Sequence, residues 1–410
     1  MELNRLKNFI FVILSNQPYD GKSKTNKHYI AAKLSERGFK VIFVDPPTRF
    51  KFIKSILKKR KFELFSKKSE NLYVYYPVNF FNFIPFSLLN NIFHFLVLKF
   101  KIKNCKLILW TYHFDFPQLF QLKSLLKPKV FIYDCVDAYE YFPEYSWEDI
   151  TNTGLVKYIQ LIDRYLKIHV DQGGKRGIDW VRERETKLAH SSDLIFTSHP
   201  LLFEKFKKIN KNTFYTPNAG DFEIFSKKPV SLPSELAFKK PRVLYSGALD
   251  DYKFDVDLVY DIALKNSKIQ YSLIGPVNLS DSTKSIEKLK NLPNIHFVGE
   301  FEKGDIYAHF YDAYIIPYRL NAYTLNGCFP IKFFNALSCG APTVVTNFPC
   351  YEEYSDVLYI AKDTNDFYEK LILAINDKDL QKKNERILVA SENTWNKKVD
   401  RQLEYIKSIL

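Results

Sequence analysis

The stretch AYIIPYRLNAYTLNGCFPIKFFNALSCGAPTVVT (residues 313–346) is the most informative part of this sequence. It opens with the apolar run Tyr314–Ile316 and closes with Thr343–Thr346, and both runs have the length and composition of buried strands. Between them, a loop leads to Pro330, and Gly340 follows a run with helical spacing. Because proline favours the start of a helix and glycine its end, strand, loop, helix and strand predict a parallel βαβ unit.

The same alternation of short apolar runs and helical periodicity extends along most of the chain. Strand and helix at this spacing predict an α/β fold with two Rossmann-like domains, whose parallel sheets face a central cleft. Ligands of such sheets bind at the carboxyl ends of the strands. The further predicted strands are Phe9–Leu14, Phe39–Val44, Leu107–Trp110, Val130–Tyr133, Leu194–Thr197, a run from Val243, Tyr271–Ile274 and Ile295–Val298.

Turn-forming and proline-rich sequence interrupts the alternation near the middle of the chain. We expect an N-terminal domain over residues 1–225, with an insertion at about 145–180 that does not follow the pattern. A linker at 226–240 would join it to a C-terminal domain at 241–395. The length of 410 residues suits two domains of about 200 residues each.

The excess of positive over negative charge lies entirely in the first quarter of the chain. The formal net charge is +14, and residues 1–106 hold 21 lysines and arginines against 6 acidic residues, whereas the remaining residues hold 39 and 40. Residues 51–61 (KFIKSILKKRK) place Lys54, Lys58, Lys59 and Arg60 around an apolar face at helical spacing. This pattern predicts a basic amphipathic helix docked on an anionic membrane surface. The alternative is a packed helix with a solvated basic side.

Other features favour a cytoplasmic protein at the inner face of the cell membrane. The five cysteines are odd in number and form no CxxC pair, which indicates reduced thiols and no structural zinc site. The first apolar run is too short for a signal peptide, and Pro85 and Asn90 interrupt the apolar zone at 79–100. We expect no nucleic-acid partner. The mixture of aromatic and basic residues at 50–106 is the sole feature that would favour nucleic-acid binding.

A basic pocket is predicted at the start of the helix that follows Pro330. The N–H groups of its first turn would point towards the cleft, where a diphosphate binds well. Arg319, after the preceding strand, and Lys332, in the first turn, would add two positive charges. The alternative is an ordinary βαβ unit with incidental basic residues.

The segment PIKFFNALSCGAP (330–342) resembles the donor-binding signature P-x-K-x-x-E-x-x-A-x-G-x-P of retaining GT-B glycosyltransferases. The chain is most similar to the bacterial branch for polysaccharide biosynthesis, of the teichuronic-acid type. The resemblance covers about residues 8–50 and 107–400. Further segments follow that branch in order: LILWTYH, VFIYDCVDAYEYF, SSDLIFTSHPLL, FYTPNAGDFEIF, VLYSGALDDYKFDVDLVYDIA, YSLIGPV and LPNIHFVGE.

The resemblance implies transfer of a sugar from a nucleotide-diphosphate sugar to a cell-surface glycan or lipid-linked acceptor, with retention of configuration. It implies that the reaction needs no cofactor and no metal. It also implies that a C-terminal helix at 396–410 returns to the N-terminal domain. Acceptor and cleft contacts would come from Gly21, Lys22, Ser23 and Asn218. The residues expected to bind the donor are Gly247, Lys253, Arg319, Thr324, Pro330, Lys332 and Asn335.

Two departures from the family pattern concern expected contacts with the donor. Asn335 stands where the family has a glutamate that accepts hydrogen bonds from the donor's ribose, and an amide oxygen accepts them without charge. Ala248 stands where many relatives have arginine, although Lys253, five residues later, is present. These departures keep a second hypothesis open, a GT-B scaffold or partner subunit without turnover.

In the N-terminal domain, His113 and Asp137 each follow a predicted strand and are the candidate catalytic residues. A neutral imidazole can act as a base or bind a sugar hydroxyl, and Asp137 can orient an acceptor or the donor sugar. The alternatives are a histidine bonded to the backbone and an aspartate that caps a helix. Glu183 and Glu185, on a predicted helix, are expected to face solvent. Another GT-B enzyme, such as a sugar-nucleotide epimerase, would need further acids and bases that the sequence does not reveal.

Overall fold

The computed structural model describes residues 6–21, 24–47, 63–78, 87–103, 105–116, 118–142, 177–278 and 283–410. The chain divides into two compact units, one made of Met1–Pro217 with Val399–Leu410 and the other of Asn218–Lys398. The predicted basic helix with Lys54, Lys58, Lys59 and Arg60 lies outside the described residues. So do Lys22, Ser23 and most of the predicted insertion at 145–180.

An eight-stranded sheet forms the centre of the first unit, in the order β3-β4-β2-β1-β5-β6-β7-β8. Every neighbouring pair is parallel except β3 with β4. The strands are β1 (Phe9–Leu14), β2 (Lys40–Val44), β3 (Phe65–Lys67), β4 (Leu72–Tyr75), β5 (Lys106–Thr111), β6 (Val130–Cys135), β7 (Leu194–Thr197) and β8 (Thr213–Tyr215). The helices are α1 (Asn26–Glu36), α2 (Ser87–Ile102), α3 (Leu119–Leu126), α4 (Gly177–Ser191) and α5 (Pro200–Lys207).

The second unit contains a parallel six-stranded sheet in the order β13-β11-β9-β14-β15-β16 and a separate pair, β10 with β12. The strands are β9 (Arg242–Ser246), β10 (Leu249–Asp250), β11 (Gln270–Ile274), β12 (Val277–Asn278), β13 (Ile295–Gly299), β14 (Ala313–Ile316), β15 (Thr343–Thr346) and β16 (Tyr359–Ala361). The helices are α6 (Phe222–Phe225), α7 (Val256–Lys265), α8 (Thr283–Lys290), α9 (Ala322–Gly327), α10 (Lys332–Ser338), α11 (Thr364–Asn376) and α12 (Leu380–Glu392), followed by α13 (Trp395–Ser408).

The apolar runs that predicted the strands are buried on both faces of the two sheets. Every residue of β1, β6, β14 and β15 is buried, because helices cover both sides of a parallel sheet. All the strands predicted from the sequence are present, with ends that differ by at most two residues. The α/β prediction with parallel sheets is therefore confirmed.

The segment between β14 and β15 differs from its prediction in two places. A short helix, α9, occupies the predicted loop, because Asn321 and Thr324 form a capping box in which the Asn321 side chain accepts from Thr324 N at 3.0 Å. Helix α10 begins at Lys332, so Pro330 precedes the helix instead of starting it. Gly340, with a φ of +70°, ends α10 as predicted.

The unit boundary falls at Pro217, and residues 226–240 lie within the second unit. Leu236 in this stretch is fully buried, and its carbonyl accepts a hydrogen bond of 3.1 Å from the Tyr311 hydroxyl. The last part of α13, from Val399 onwards, belongs to the first unit, where the Tyr405 ring stacks on Phe214 at 3.9 Å and Asp400 pairs with Arg37 at 2.8 Å. Among the described residues, the helices are all too short or too polar to cross a membrane.

Candidate functional site

Each of the two large sheets has a switch point in its strand order, and several of the predicted site residues follow strands near it. The reversal lies between β1 and β5 in the first unit and between β9 and β14 in the second. Ligands of open parallel sheets bind outside the carboxyl ends of the strands at such a switch point. Gly247 directly follows β9, and Arg319 follows β14, so both lie beside the switch point of the second unit.

The Lys332 ammonium lies directly against Gly247. A Cβ built on Gly247 would lie 1.9 Å from Lys332 Nζ, so only a glycine leaves this space open. Gly247 also has a φ of +151°, a backbone conformation that residues other than glycine rarely adopt. The ammonium is 4.5 Å from the Tyr245 ring centroid and 3.5 Å from the Tyr245 hydroxyl. Glycine and lysine thus meet at the carboxyl end of β9, although 85 residues separate them in sequence.

Burial and neighbouring charges set the protonation of Lys332. Burial lowers the pKa of the Lys332 ammonium to about 8, with Lys253 also lowering it, while the carboxylates of Asp305 and Asp250 oppose the shift. The side chain is therefore mostly an ammonium at pH 7, close to the point at which it loses its proton. A buried cation of this kind gains most from an anionic ligand that replaces its lost hydration.

Main-chain bonds bring two further basic residues to the same edge of the sheet. Arg319 N donates to the carbonyl of Lys253 at 2.6 Å, and Lys253 N donates to Asp250 Oδ1 at 2.7 Å. The Arg319 guanidinium is half-buried and donates through Nε to the Phe254 carbonyl at 3.2 Å. The loops after β10 and β14 are thereby joined, which holds the basic side chains of both near one another.

Three of the predicted binding residues have structural contacts inside the second unit. The fully buried Thr324 donates its hydroxyl to the Arg319 carbonyl at 2.6 Å as part of the α9 cap. Asn218 Nδ2 donates to the Phe329 carbonyl at 2.9 Å. Pro330 is buried at the turn before α10. These contacts fix the loop between β14 and α10, and direct contact of these residues with a ligand stays a prediction.

A carboxylate stands beside Asn335, at the position where the family has glutamate. Asn335 Nδ2 donates to Asp305 Oδ2 at 2.8 Å, and the other oxygen of Asp305 accepts from the Tyr314 hydroxyl at 2.6 Å. Asn335 is 8% exposed, and its Oδ1 lies 3.4 Å from the amide of Asp221. The sequence analysis missed Asp305, because nothing in its local sequence marks a residue that the fold brings against α10.

A cavity of about 400 Å³ opens at the carboxyl ends of β14, β15 and β16. Its lining combines the aromatic ring of Tyr318 with basic, acidic and hydroxyl side chains, including Arg319, Lys362, Asp363 and Thr346. A mixed lining of this kind can bind a polar ligand through several hydrogen bonds. The cavity adjoins the edge of the sheet that carries Lys253, Arg319 and Lys332, since Arg319 also lines the cavity.

In the first unit, His113 and Asp137 lie at the carboxyl ends of β5 and β6 as predicted from their positions. His113 Nε2 is 2.8 Å from Asp115 Oδ1, and Thr111 Oγ1 donates to the His113 carbonyl at 3.1 Å. Asp137 is half-buried, and the adjacent short helix Tyr139–Tyr141 is capped by Ala138, so Asp137 is not its N-cap. Gly21 N closes the β1–α1 loop by donating to the Pro18 carbonyl at 3.2 Å. Their chemical roles stay predictions.

Lys27 is a buried cation at this edge that the sequence analysis missed. The residue is 3% exposed, and its ammonium donates to Asn16 Oδ1 at 2.5 Å, directly after β1. Burial lowers the pKa of Lys27 to about 8, while the carboxylates of Asp137 and Asp134 oppose the shift. The sequence signal that could have identified Lys27 as a site residue is its position as the second residue of the helix that follows the β1 loop.

The expectation that Glu185 faces solvent is wrong. Glu185 is 1% exposed, accepts a hydrogen bond of 2.6 Å from the Tyr133 hydroxyl and pairs with Lys205 at 2.9 Å. Helix α4 packs this side of Glu185 onto β6, and Lys205 supplies the compensating charge. A carboxylate buried in this way needs a cation, which the helical pattern of α4 alone does not show.

Comparisons with known proteins identify the second unit. Residues 240–377, which lie in this unit, match the family described as Glycosyl transferases group 1. Over 177 residues, 41% of this chain, the sequence is 26% identical to TuaH of Bacillus subtilis strain 168, which is named as a teichuronic acid biosynthesis glycosyltransferase. The matched part spans 44% of the length of TuaH.

Solved structures show the fold of the whole chain. The chain is similar to sucrose-phosphate synthase from Thermosynechococcus elongatus, with a TM-score of 0.66, 13% identity and 98% of both chains covered. It is also similar to HepE of Anabaena in complex with UDP-glucose, with a TM-score of 0.63, 12% identity and 96% of this chain and 99% of HepE covered. The predicted GT-B fold is confirmed.

Proposed function

We propose that this protein is a glycosyltransferase that moves a sugar from a nucleotide-diphosphate donor to a cell-surface glycan or lipid-linked acceptor, with retention of configuration. The observation that carries the proposal is the buried Lys332 ammonium held against Gly247 at the switch point of a group 1 glycosyltransferase domain. The names of two similar proteins support the substrate class, since TuaH is named for teichuronic acid biosynthesis and HepE was solved with UDP-glucose.

The proposed chemistry rests on stabilisation of the leaving diphosphate. Negative charge grows on the diphosphate as its bond to the sugar breaks, and preorganised cations lower the energy of that transition state. Lys332 is the central cation, and Lys253 and Arg319 add charge at the same edge. Because these cations can balance the diphosphate, we propose turnover without a divalent metal or cofactor.

The acceptor is proposed to bind to the first unit, near Gly21, His113 and Asp137. The buried Lys27 donates to Asn16 and is influenced by the charge of Asp137, so this edge has both a cation and hydrogen-bond acceptors for sugar hydroxyls. The enzyme is proposed to work in the cytoplasm at the inner face of the membrane, because the basic excess of residues 1–106 favours anionic lipid.

The proposal is tested by calorimetric titration with UDP and GDP, followed by hydrolysis assays on several nucleotide sugars with and without EDTA. We expect one nucleotide to bind and its sugar derivative to be hydrolysed slowly, at equal rates with and without the chelator. Failure to bind either nucleotide would favour the scaffold hypothesis that Asn335 and Ala248 keep open. Hydrolysis that EDTA abolishes would contradict the metal-free mechanism.

Replacing Gly247 with alanine is expected to weaken nucleotide binding by about tenfold or more. The new Cβ would occupy the position of Lys332 Nζ, and the flexible lysine would move away from the site instead of the backbone. Calorimetry measures the effect. A matched control is Gly38→Ala, since Gly38 also has a positive φ, +83°, but no atom lies within 4 Å of its added Cβ. Equal nucleotide affinity in Gly247→Ala and the wild type would contradict the placement of the diphosphate.

A further inference from the structure

Helix α2 (Ser87–Ile102) carries a stripe of exposed apolar side chains in the first unit. Leu89, Ile92, Leu96 and Phe100 are 46%, 42%, 59% and 77% exposed. Their spacing of three, four and four residues places them on one face of the helix. Four large apolar side chains aligned on one helix face form a contiguous patch, which is unusual on a protein that has no partner there.

The opposite face of α2 packs on the protein through buried apolar side chains, Leu98 and Ile102 among them, and through buried polar ones. Asn91 Nδ2 donates to the Gln118 carbonyl at 2.9 Å and to Gln121 Oε1 at 3.0 Å. On the same face, the Tyr75 hydroxyl and His94 Nδ1 are 2.8 Å apart, and both residues are buried. Because these buried polar groups would lose their partners, the helix cannot rotate to bury its apolar stripe.

Positive charge adjoins the apolar stripe. Lys99 is exposed and follows Ile92 and Leu96 at helical spacing, so it lies on the same side of α2. The exposed Lys103 directly follows the C-terminal end of the helix. The surrounding sequence, residues 1–106, holds 21 basic and 6 acidic residues. An apolar stripe bordered by lysines matches the headgroup boundary of an anionic membrane, where apolar side chains enter the acyl region and lysines reach the phosphates.

We infer that the exposed face of α2 docks the protein on an anionic lipid bilayer, with the helix lying flat in the membrane surface. The stripe from Leu89 to Phe100 extends over about 16 Å, which suits a helix in the surface plane. A second copy of the chain is a poorer occupant, because pairing two such faces would bring two strongly basic regions together. The inference concerns membrane contact alone and does not depend on the proposed transferase activity.

The test is co-sedimentation with two kinds of vesicle, pure phosphatidylcholine and equal parts of phosphatidylcholine and phosphatidylglycerol. The wild type is expected to bind the anionic vesicles and to bind the neutral ones much more weakly. Leu96→Gln/Phe100→Gln keeps good helix formers at two exposed positions and should reduce anionic-vesicle binding by about tenfold or more. Lys99→Glu/Lys103→Glu should reduce binding to anionic vesicles and leave the weak binding to neutral ones unchanged.

The matched control is Leu373→Gln/Leu388→Gln, which changes two leucines that are 59% and 60% exposed on helices of the second unit. It should bind vesicles as the wild type does. Nucleotide titration of every variant checks its fold and separates this inference from the proposed function. The inference is overturned if the wild type ignores anionic vesicles, or if Leu96→Gln/Phe100→Gln binds them as well as the control. A dimer that this double variant dissociates, without vesicle binding by the wild type, would identify a second copy as the occupant.

Discussion

Lys332→Met is expected to lower kcat/KM for the donor sugar by about 10²–10³-fold, the usual loss when one preorganised group that stabilises transition-state charge is removed. The substitution keeps the length and apolar stem of the side chain and removes the ammonium that lies against Gly247. Donor hydrolysis and nucleotide titration measure the loss. Lys290→Met, at an exposed position at the end of α8, is the matched control and should behave as the wild type.

The pH dependence of the wild type provides an independent check on Lys332. The pKa of this lysine is lowered to about 8, so the ammonium dominates below that pH and the neutral amine above it. Only the ammonium attracts a diphosphate, and kcat/KM reports the free enzyme, so kcat/KM should fall as the pH rises through about 8. In Lys332→Met, this high-pH limb of the profile, the fall in kcat/KM above about pH 8, should be absent. A limb that persists unchanged in the variant would assign it to another group.

The stability of Lys332→Met separates lost function from unfolding. In the unfolded chain the lysine has its ordinary pKa of 10.5, so between pH 8 and 10.5 the unfolded state binds more protons than the folded state. Stability therefore rises with pH across this window, and the buried ammonium is unfavourable to folding at pH 7. We expect Lys332→Met to have a Tm at pH 7 equal to or above that of the wild type. A lower Tm would show that the lysine is needed for folding.

Asn335→Glu, which restores the family's residue, is expected to destabilise this protein by about 2 kcal/mol. The new carboxylate would face Asp305 Oδ2, which now accepts a hydrogen bond of 2.8 Å from the Asn335 amide. Two carboxylates at this distance cannot both stay ionised without cost. Urea denaturation gives the free energy of unfolding, and nucleotide titration shows whether the site is disturbed.

The compensating change is Asp305→Asn in the same chain. In Asp305→Asn/Asn335→Glu, an amide again faces a carboxylate, and residue 305 keeps an oxygen that accepts from the Tyr314 hydroxyl. We expect the double variant to recover most of the free energy lost by Asn335→Glu, with a coupling of about 1–3 kcal/mol between the two sites. Additive effects of the two substitutions would contradict the interpretation that an amide at either position compensates for a carboxylate at the other.

The sequence was most informative for features that can be predicted from the position of a residue along a single strand or helix. The strands Phe9–Leu14, Leu194–Thr197 and Thr343–Thr346 were predicted with their observed bounds, because runs buried on both faces carry their own signal. The basic positions Lys253, Arg319 and Lys332 were identified from the motif, and the structure places them at one edge of the sheet. Helix α9 was missed, since its six residues have no apolar periodicity and depend on the Asn321 cap.

The sequence by itself determined the α/β alternation, because this depends on local apolar periodicity, and the resemblance of a contiguous motif to a known family implied the GT-B fold. Only the tertiary structure decided which side chains meet: Lys332 with Gly247, Asp305 with Asn335, Lys205 with Glu185, and Lys27 with Asn16. It also decided that α2 turns Asn90 and Asn91 inward and Leu89 and Leu96 outward. Contacts between residues far apart in sequence, and the burial that shifts a lysine's pKa, exist only once the sheet has brought distant segments together.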